Sequence, residues 1–157
     1  MPEGMPQALA DEALQRRILL IGESYRRLLG DTLCASPDLG AIWNAPRVIV
    51  AHGTGADPVF FFGNRMALEL FETGWDAFVR MPSRLSAEPL AREERARLLA
   101  RVSADGYIDD YAGVRISARG RRFRIEQAVV WNLVDADNVC HGQAATFARW
   151  TPLPADD

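Results

Sequence analysis

Apolar residues recur at three- and four-residue intervals near the start of the chain, with arginines and acids between them. They are Leu14, Ile18, Ile21, Tyr25 and Leu28. This spacing places apolar side chains on one helix face, so residues 7–29 are predicted to form an amphipathic helix. Gly30 is expected to end it, because glycine adopts the left-handed conformation found at helix termini.

The centre of the chain predicts a hairpin followed by helices. A linker rich in proline and glycine, with one possible helical turn, precedes two runs typical of strands, Arg47 to His52 and Val59 to Phe62. Two short helices, 65–71 and 75–80, are expected next, and then a longer charge-rich helix over 88–105.

From Tyr107 onward the apolar period changes from helical to alternating. The alternation predicts two long antiparallel strands, joined by a tight turn at 118–120, and a last strand over 139–150. In this register Asp110 and Gln127 fall in phase with the inward apolar residues, whereas Arg115 falls in the opposite phase.

The element order is typical of an α+β protein: a five-stranded antiparallel sheet with helices on one face and an N-terminal amphipathic helix. The expected divisions are the helix (1–30), a linker (31–46), one domain (47–150) and a tail (151–157). A length of 157 residues fits a single domain.

Composition narrows the functional classes. All 18 basic residues are arginine, which excludes Schiff-base chemistry and the lysine of a phosphate-binding loop. The net charge of −3 favours neither nucleic acid nor anionic lipid as a partner. No run approaches the length of a membrane span, and two cysteines fit a reducing compartment, so a cytoplasmic location is expected.

Four segments resemble the MEKHLA domain family, a PAS-like group. They are VIVAHGTGADPVFFFGN at 48–64, MPSRLSAE at 81–88, GRRFRIE at 120–126 and VWNLV at 130–134. The resemblance covers roughly residues 40–150. The hexapeptide that names the family is absent, as are a homeodomain and a leucine zipper, so the chain is identified as a stand-alone, bacterial-type member.

The resemblance implies a PAS-like fold in which helices and sheet enclose a small-molecule pocket. It also implies a sensory or interaction module that signals in trans, and it supplies no ligand and no catalytic residue. The expected lining is Phe62, Met66, Trp75, Met81 and Trp131, with Asn64, Arg84 and Gln127 as polar contacts. The alternative is that the aromatic side chains fill the core and that Arg84 pairs with Glu88.

The sequence gives little support for a bound PAS-type cofactor or for a metal site. A flavin–cysteinyl adduct needs a cysteine in an Asn-Cys-Arg helix motif, and neither Cys34 nor Cys140 lies in one. A haem sensor usually needs a histidine on the long helix, and residues 65–105 contain none. His52 and His141 do not combine with the cysteines at a metal-ligand spacing.

The last predicted strand carries small or apolar residues on both faces, which indicates a sheet covered on both sides. The N-terminal helix is the candidate cover for the outer face, from the same chain or from a partner. A homodimer built around residues 14–28 and this outer sheet face is therefore expected, with a small apolar or amphipathic ligand inside each domain.

Two other functions remain open at this stage. The first is a cone-shaped α+β isomerase or dehydratase that uses Asp110 or His52 as its base, which requires that group to face an accessible cavity. Since Asp109 and Asp110 are adjacent, a local bulge is the structural alternative. The second is a ligand-free interaction domain, which requires a closed interior and an apolar outer patch.

Overall fold

The computed structural model describes residues 5–87 and 89–154. Its five α-helices are α1 (Glu12–Leu29), α2 (Leu39–Trp43), α3 (Arg65–Leu70), α4 (Trp75–Phe78) and α5 (Pro89–Asp105). Its six strands are β1 (Val48–His52), β2 (Phe60–Gly63), β3 (Tyr107–Ile116), β4 (Arg122–Val134), β5 (Cys140–Phe147) and β6 (Arg149–Pro152). Short 3₁₀ turns occupy Gln7–Ala10 and Ser83–Ser86.

The strands form one antiparallel sheet in the order β2-β1-β5-β4-β3, which confirms the predicted α+β class. The last predicted strand is divided into β5 and β6. Both pieces pair with β4 in one register, since Val129 opposes Thr146 and Glu126 opposes Arg149. The sixth strand is therefore a continuation of the fifth beyond a break.

Helix α1 ends where its sequence predicts, but it begins at Glu12 rather than at residue 7, because Gln7–Ala10 form a separate 3₁₀ turn. The Asp11 carboxylate accepts a hydrogen bond of 2.9 Å from the Leu14 amide, which satisfies one of the unpaired donors of the first turn. Gly30 terminates the helix in the left-handed conformation, at φ 73°. The linker contains one short helix, α2, which Asp38 caps through the Ala41 amide.

Helices cover both faces of the sheet, and each face has its own hydrophobic core. Helix α1 packs on the outer face over Ile49, Val129 and Trp131. Helices α3, α4 and α5 pack on the other face over Val50, Val130 and their neighbours. The same chain thus supplies the cover that the composition of the last strand indicates.

Two irregularities in β3 and β4 reverse the alternation of side chains. The pairing between these strands shifts between Ile108 and Tyr111 and again between Tyr111 and Gly113. Gln127 adopts φ 51°, a left-handed conformation that breaks the regular pleat of β4. Beyond each irregularity, residues that strict alternation places on one face lie on the other.

These bulges overturn three sequence predictions. Gln127 is exposed rather than directed toward the helices, and Asp110 is exposed rather than buried. Arg115, which the alternation places outward, is buried on the helix side of the sheet together with Tyr111. The physical reason is the same in each case, because one extra residue inverts the facing of those that follow.

Candidate functional site

A small cavity of about 50 Å³ lies between the sheet and the layer formed by α3 and α5. Its sheet wall contains residues from all of β1 to β5, and Phe71, Ser86 and Leu98 close it from the helix side. Its remaining lining residues are Val50, Ala51, His52, Phe60, Tyr111, Arg115, Ile125, Val130, Gln143, Ala144, Ala145 and Phe147. The walls are thus mostly apolar with a few polar side chains, as in small-molecule sites generally.

Arg115 is a buried, positively charged residue in the mostly apolar wall of the cavity. Only 8% of it is exposed. Its guanidinium carbon lies 5.2 Å from the centroid of the Tyr111 ring, within the range of a cation–π contact. Its Nη1 donates to the Val114 carbonyl at 3.2 Å.

The polar end of the cavity lies where β1 meets β5. The His52 ring donates from Nδ1 to the Gly53 carbonyl oxygen at 2.8 Å, which fixes the orientation of the imidazole. Gln143 opposes His52 in the sheet and donates from Nε2 to the Asn132 side chain at 2.9 Å. Asn132 in turn donates to the Val102 carbonyl of α5, so this network ties the cavity end to the helix.

None of the eight residues predicted to line a pocket lines this cavity. Phe62 and Trp75 pack edge to face with ring centroids 6.0 Å apart, and both belong to the core on the α1 side. Trp131 is fully buried beneath α1. Met66 and Met81 are half-buried at the margin of the other core.

The three polar candidates have other partners. Asn64 is fully buried, and all four of its side-chain hydrogen bonds go to backbone groups. Arg84 is about half exposed and pairs with Asp57 at 3.0 Å, whereas the predicted pair with Glu88 lies outside the described residues. Gln127 lies at the exposed bulge of β4. The structure therefore does not bring the predicted set together.

Sequence reasoning missed Tyr111 and Arg115, which the bulge turns inward. Two signals were present: adjacent aspartates in a strand, and Gly113 between the two residues. A Cβ at Gly113 would collide with the Tyr111 hydroxyl, so the glycine leaves room for the phenol to lie along the strand. A glycine beside a large residue inside a strand marks such a close approach.

The remaining candidates are dispersed. Cys34 is half-buried and Cys140 is exposed, and both are free thiols. Burial is the main cause that raises the pKa of the Cys34 thiol, with smaller contributions from Arg47, which lowers it, and Asp38, which raises it. In the described part of the chain, no group of three or more histidines, cysteines and acids could hold a metal ion.

The turn between β4 and β5 carries a hydrogen-bonded Asp–His pair that gives a pH-dependent prediction. The Asp135 carboxylate accepts a hydrogen bond of 2.7 Å from the His141 ring, and also bonds to the Val139 and Asp137 amides. These hydrogen bonds, His141 foremost, hold the pKa of Asp135 below its usual value. The stabilisation they give is therefore present above the pKa of the unfolded state and is lost as pH falls through the lower, folded pKa.

We expect Asp135→Asn to lower the urea midpoint at about pH 7, and we expect this difference to shrink progressively as pH falls below about 4, the usual carboxyl pKa of the unfolded chain. Urea unfolding of both proteins across this range measures the difference. Asp137→Asn is the control, because Asp137 contributes its backbone amide to the turn and that amide remains. An effect of Asp135→Asn that stays constant with pH would contradict this assignment.

Comparison with known proteins identifies a matching family and relatives of similar sequence. The family model of the MEKHLA domain matches residues 15–152. The homeobox-leucine zipper protein HOX29 of Oryza sativa subsp. japonica is 32% identical over 142 residues, which cover 85% of this chain and 16% of that protein. The chain thus spans about one sixth of the length of this relative.

Solved structures share the fold. The crystal structure of a PAS domain from Colwellia psychrerythraea matches with a TM-score of 0.61 and 12% identity, over 73% of this chain and 92% of that one. A light-oxygen-voltage domain studied with a flavin analogue matches with a TM-score of 0.55 and 14% identity, over 74% and 84% of the two chains. No helix within residues 5–87 and 89–154 is long and apolar enough to cross a membrane.

The matched segment contains the whole sheet, α5 and nearly all of α1. The predicted resemblance is confirmed. This chain belongs to the MEKHLA domain family, and its fold is PAS-like.

Proposed function

We propose that this domain is a non-enzymatic sensor that binds a small molecule in the cavity beneath α3 and α5 and signals through a partner. The observation that carries the proposal is the cavity itself, enclosed between the sheet and the helix layer and lined by mostly apolar side chains with His52, Arg115 and Gln143 among them. A pocket in this place is what a PAS-like fold leads one to expect.

The sheet offers a direct route from the cavity to α1. Val50 and Val130 line the cavity, whereas their chain neighbours Ile49 and Val129 belong to the core under α1. Because adjacent residues in a strand face opposite sides, a shift of β1 or β4 on ligand binding moves both layers. Such coupling needs two arrangements of these strands that the ligand stabilises differently.

Helix α1 is attached to this part of the sheet by specific hydrogen bonds. Trp131 donates from its indole nitrogen to the Ile21 carbonyl at 3.1 Å, and the Ser24 hydroxyl accepts from the Val134 amide at 3.0 Å. Arg27 donates to the Val134 carbonyl at 2.9 Å. A movement at the end of β4 would therefore change the seating of α1, which is the surface we assign to signal output.

The size of the cavity limits the ligand. Pockets for cofactors and drug-sized molecules measure roughly 300–1,000 Å³, so a cavity of about 50 Å³ is too small for a flavin or a haem. The flavin analogue named for the light-oxygen-voltage neighbour therefore does not carry over to this chain. A molecule of a few non-hydrogen atoms matches the space.

The partner we propose is a second copy of the chain, in contact through the outward side of α1. That side carries Arg16, Glu23 and Arg26, which are exposed and of mixed charge. Two antiparallel copies could pair these charges across a two-fold axis, as a self-complementary surface requires. The contact is polar, so we expect it to be weak and adjustable by the position of α1.

The enzyme alternative gains no support from the placement of its candidate bases. Asp110 is exposed at the bulge and does not line the cavity. His52 does line it, but its Nδ1 is engaged with the Gly53 carbonyl. Among the residues that the structure describes, no carboxylate lines the cavity, and its mostly apolar wall with a few polar side chains favours a binding module.

Native mass spectrometry of protein purified from its own host tests the proposal. We expect a retained small molecule at one copy per chain that is released on denaturation, and a dimer signal in the same spectrum. The variant Ala145→Leu should lose the molecule, because Ala145 lines the cavity and added carbon atoms would fill it. The matched control Ala148→Leu, at the exposed break between β5 and β6, should keep it.

A wild-type protein without any retained molecule, and whose spectrum does not change on addition of small metabolites, would contradict the sensor. Retention of the molecule by Ala145→Leu would contradict the assignment of this cavity. A monomer alone at high micromolar concentration would overturn the proposed partner and leave the ligand proposal standing.

A further inference from the structure

The charge of Arg115 has no partner of opposite sign in the described chain. Among residues 5–87 and 89–154, its polar contacts are the Val114 carbonyl and the face of the Tyr111 ring, and no carboxylate pairs with it. The residue is nevertheless more than nine-tenths buried. Removing a guanidinium from water costs several kcal/mol unless an anion compensates, so an uncompensated arginine in this place needs an explanation.

The surroundings of Arg115 define which anion would fit. Much of the cavity wall is hydrocarbon or aromatic, with Phe71, Leu98, Ile125 and Phe147 among its lining residues. A space of about 50 Å³ corresponds to about four water-sized groups, since one water needs about 10–15 Å³ measured in this way. A phosphate would fill this space with oxygen atoms and leave some of them against the apolar part of the wall, without donors.

A short monocarboxylate matches both the guanidinium of Arg115 and the apolar part of the cavity wall. Its two oxygens match the paired N–H groups of a guanidinium, which binds carboxylates in a bidentate manner. Its alkyl end would replace solvent against the apolar wall. The Tyr111 ring, stacked near the guanidinium, holds that group on the cavity side of β3.

We propose that the cavity is a receptor site for a small aliphatic monocarboxylate of the size of acetate, with Arg115 as the residue that binds its carboxylate. This inference rests on the proposed sensor function and gives the chemical class of its ligand. It makes Arg115 a specificity-determining residue, because a neutral molecule of the same shape would leave the guanidinium unpaired.

Amide NMR spectra of the full chain titrated with sodium acetate test the inference, with sodium chloride at equal ionic strength as the salt control. We expect saturable shifts at Tyr111, Arg115 and Val130 with acetate. Acetamide, which has the same shape without the charge, should bind about ten- to hundredfold more weakly, the range expected for loss of a charge-assisted hydrogen bond. Pivalate, which is branched, should be excluded by size.

A pair of variants isolates the role of the guanidinium. Arg115→Met keeps a long side chain and should lose acetate binding, whereas Arg124→Met should retain it, since Arg124 lies opposite Val114 on β4 and is half exposed. If Arg115→Met does not fold, the comparison of acetate with acetamide in the wild-type protein still decides the question.

The outcomes separate this inference from the proposed function. Equal binding of acetate and acetamide, or acetate binding that survives in Arg115→Met, would overturn the carboxylate site and leave a ligand-binding cavity. The absence of saturable shifts with acetate would overturn the carboxylate site, and a neutral molecule retained in the host-purified protein would then identify the true ligand class. Absence of both kinds of binding would overturn the sensor as well.

Discussion

Replacing Asn64 with alanine is expected to lower the free energy of unfolding by about 3–4 kcal/mol, because it leaves several buried backbone groups without partners. The Asn64 side-chain oxygen accepts from the Ile49 and Ala67 amides, each at 3.1 Å. Its amide nitrogen donates to the Ile42 and Arg47 carbonyls at 3.2 and 2.8 Å. One side chain therefore joins the end of α2, the start of β1 and the first turn of α3.

Urea unfolding at neutral pH measures this change, and Asn44→Ala is the matched control. Asn44 is exposed, and its side chain makes one hydrogen bond, to the Gly40 carbonyl. Its loss should cost about 0.5 kcal/mol or less, as is usual for exposed positions. If the two variants were equally stable, the four-bond role of Asn64 would be wrong.

The second large effect is expected at Trp131, which anchors α1. Trp131→Ala should lower the free energy of unfolding by about 3–5 kcal/mol, the range for deletion of a buried aromatic side chain. The indole is fully buried and packs edge to face on Tyr25 with ring centroids 4.9 Å apart. We further expect faster hydrogen exchange in residues 12–29, because the helix loses both this contact and the bond to Ile21.

Trp131→Phe separates packing from hydrogen bonding. It keeps an aromatic ring against Tyr25 and removes the indole N–H, so its cost should be clearly smaller than that of alanine. Uniform acceleration of exchange throughout the sheet in Trp131→Ala, without an excess in α1, would show that the tryptophan supports the whole fold rather than the helix in particular.

The sequence predicted the helices and strands well because their signals are local. The spacing of apolar residues in α1 and the stop at Gly30 both act within a few residues. The division of the last strand was not predicted, and the register that both of its pieces share with β4 depends on a distant partner. Such pairing leaves no trace in a short window.

The candidate site was not predictable to the same degree. Its position depends on which face each residue of β3 and β4 presents, and two bulges change that facing midway along the strands. Arg115 was therefore placed in solvent and Gln127 in the interior, although the structure shows the opposite. Pocket-lining candidates chosen for size, such as Phe62 and Trp131, belong to the core under α1 instead.

The bulges also bear on how the lengths of these strands can change during evolution. Before Gln127 the residues of β4 that face the helix layer are Phe123 and Ile125, and after it they are Ala128 and Val130. Deletion of one residue here would exchange the sides of Val129 and Val130, so each core would receive side chains shaped for the other. A one-residue insertion or deletion in β4 therefore requires a compensating insertion or deletion in β3. Homologous proteins should carry both bulges or neither.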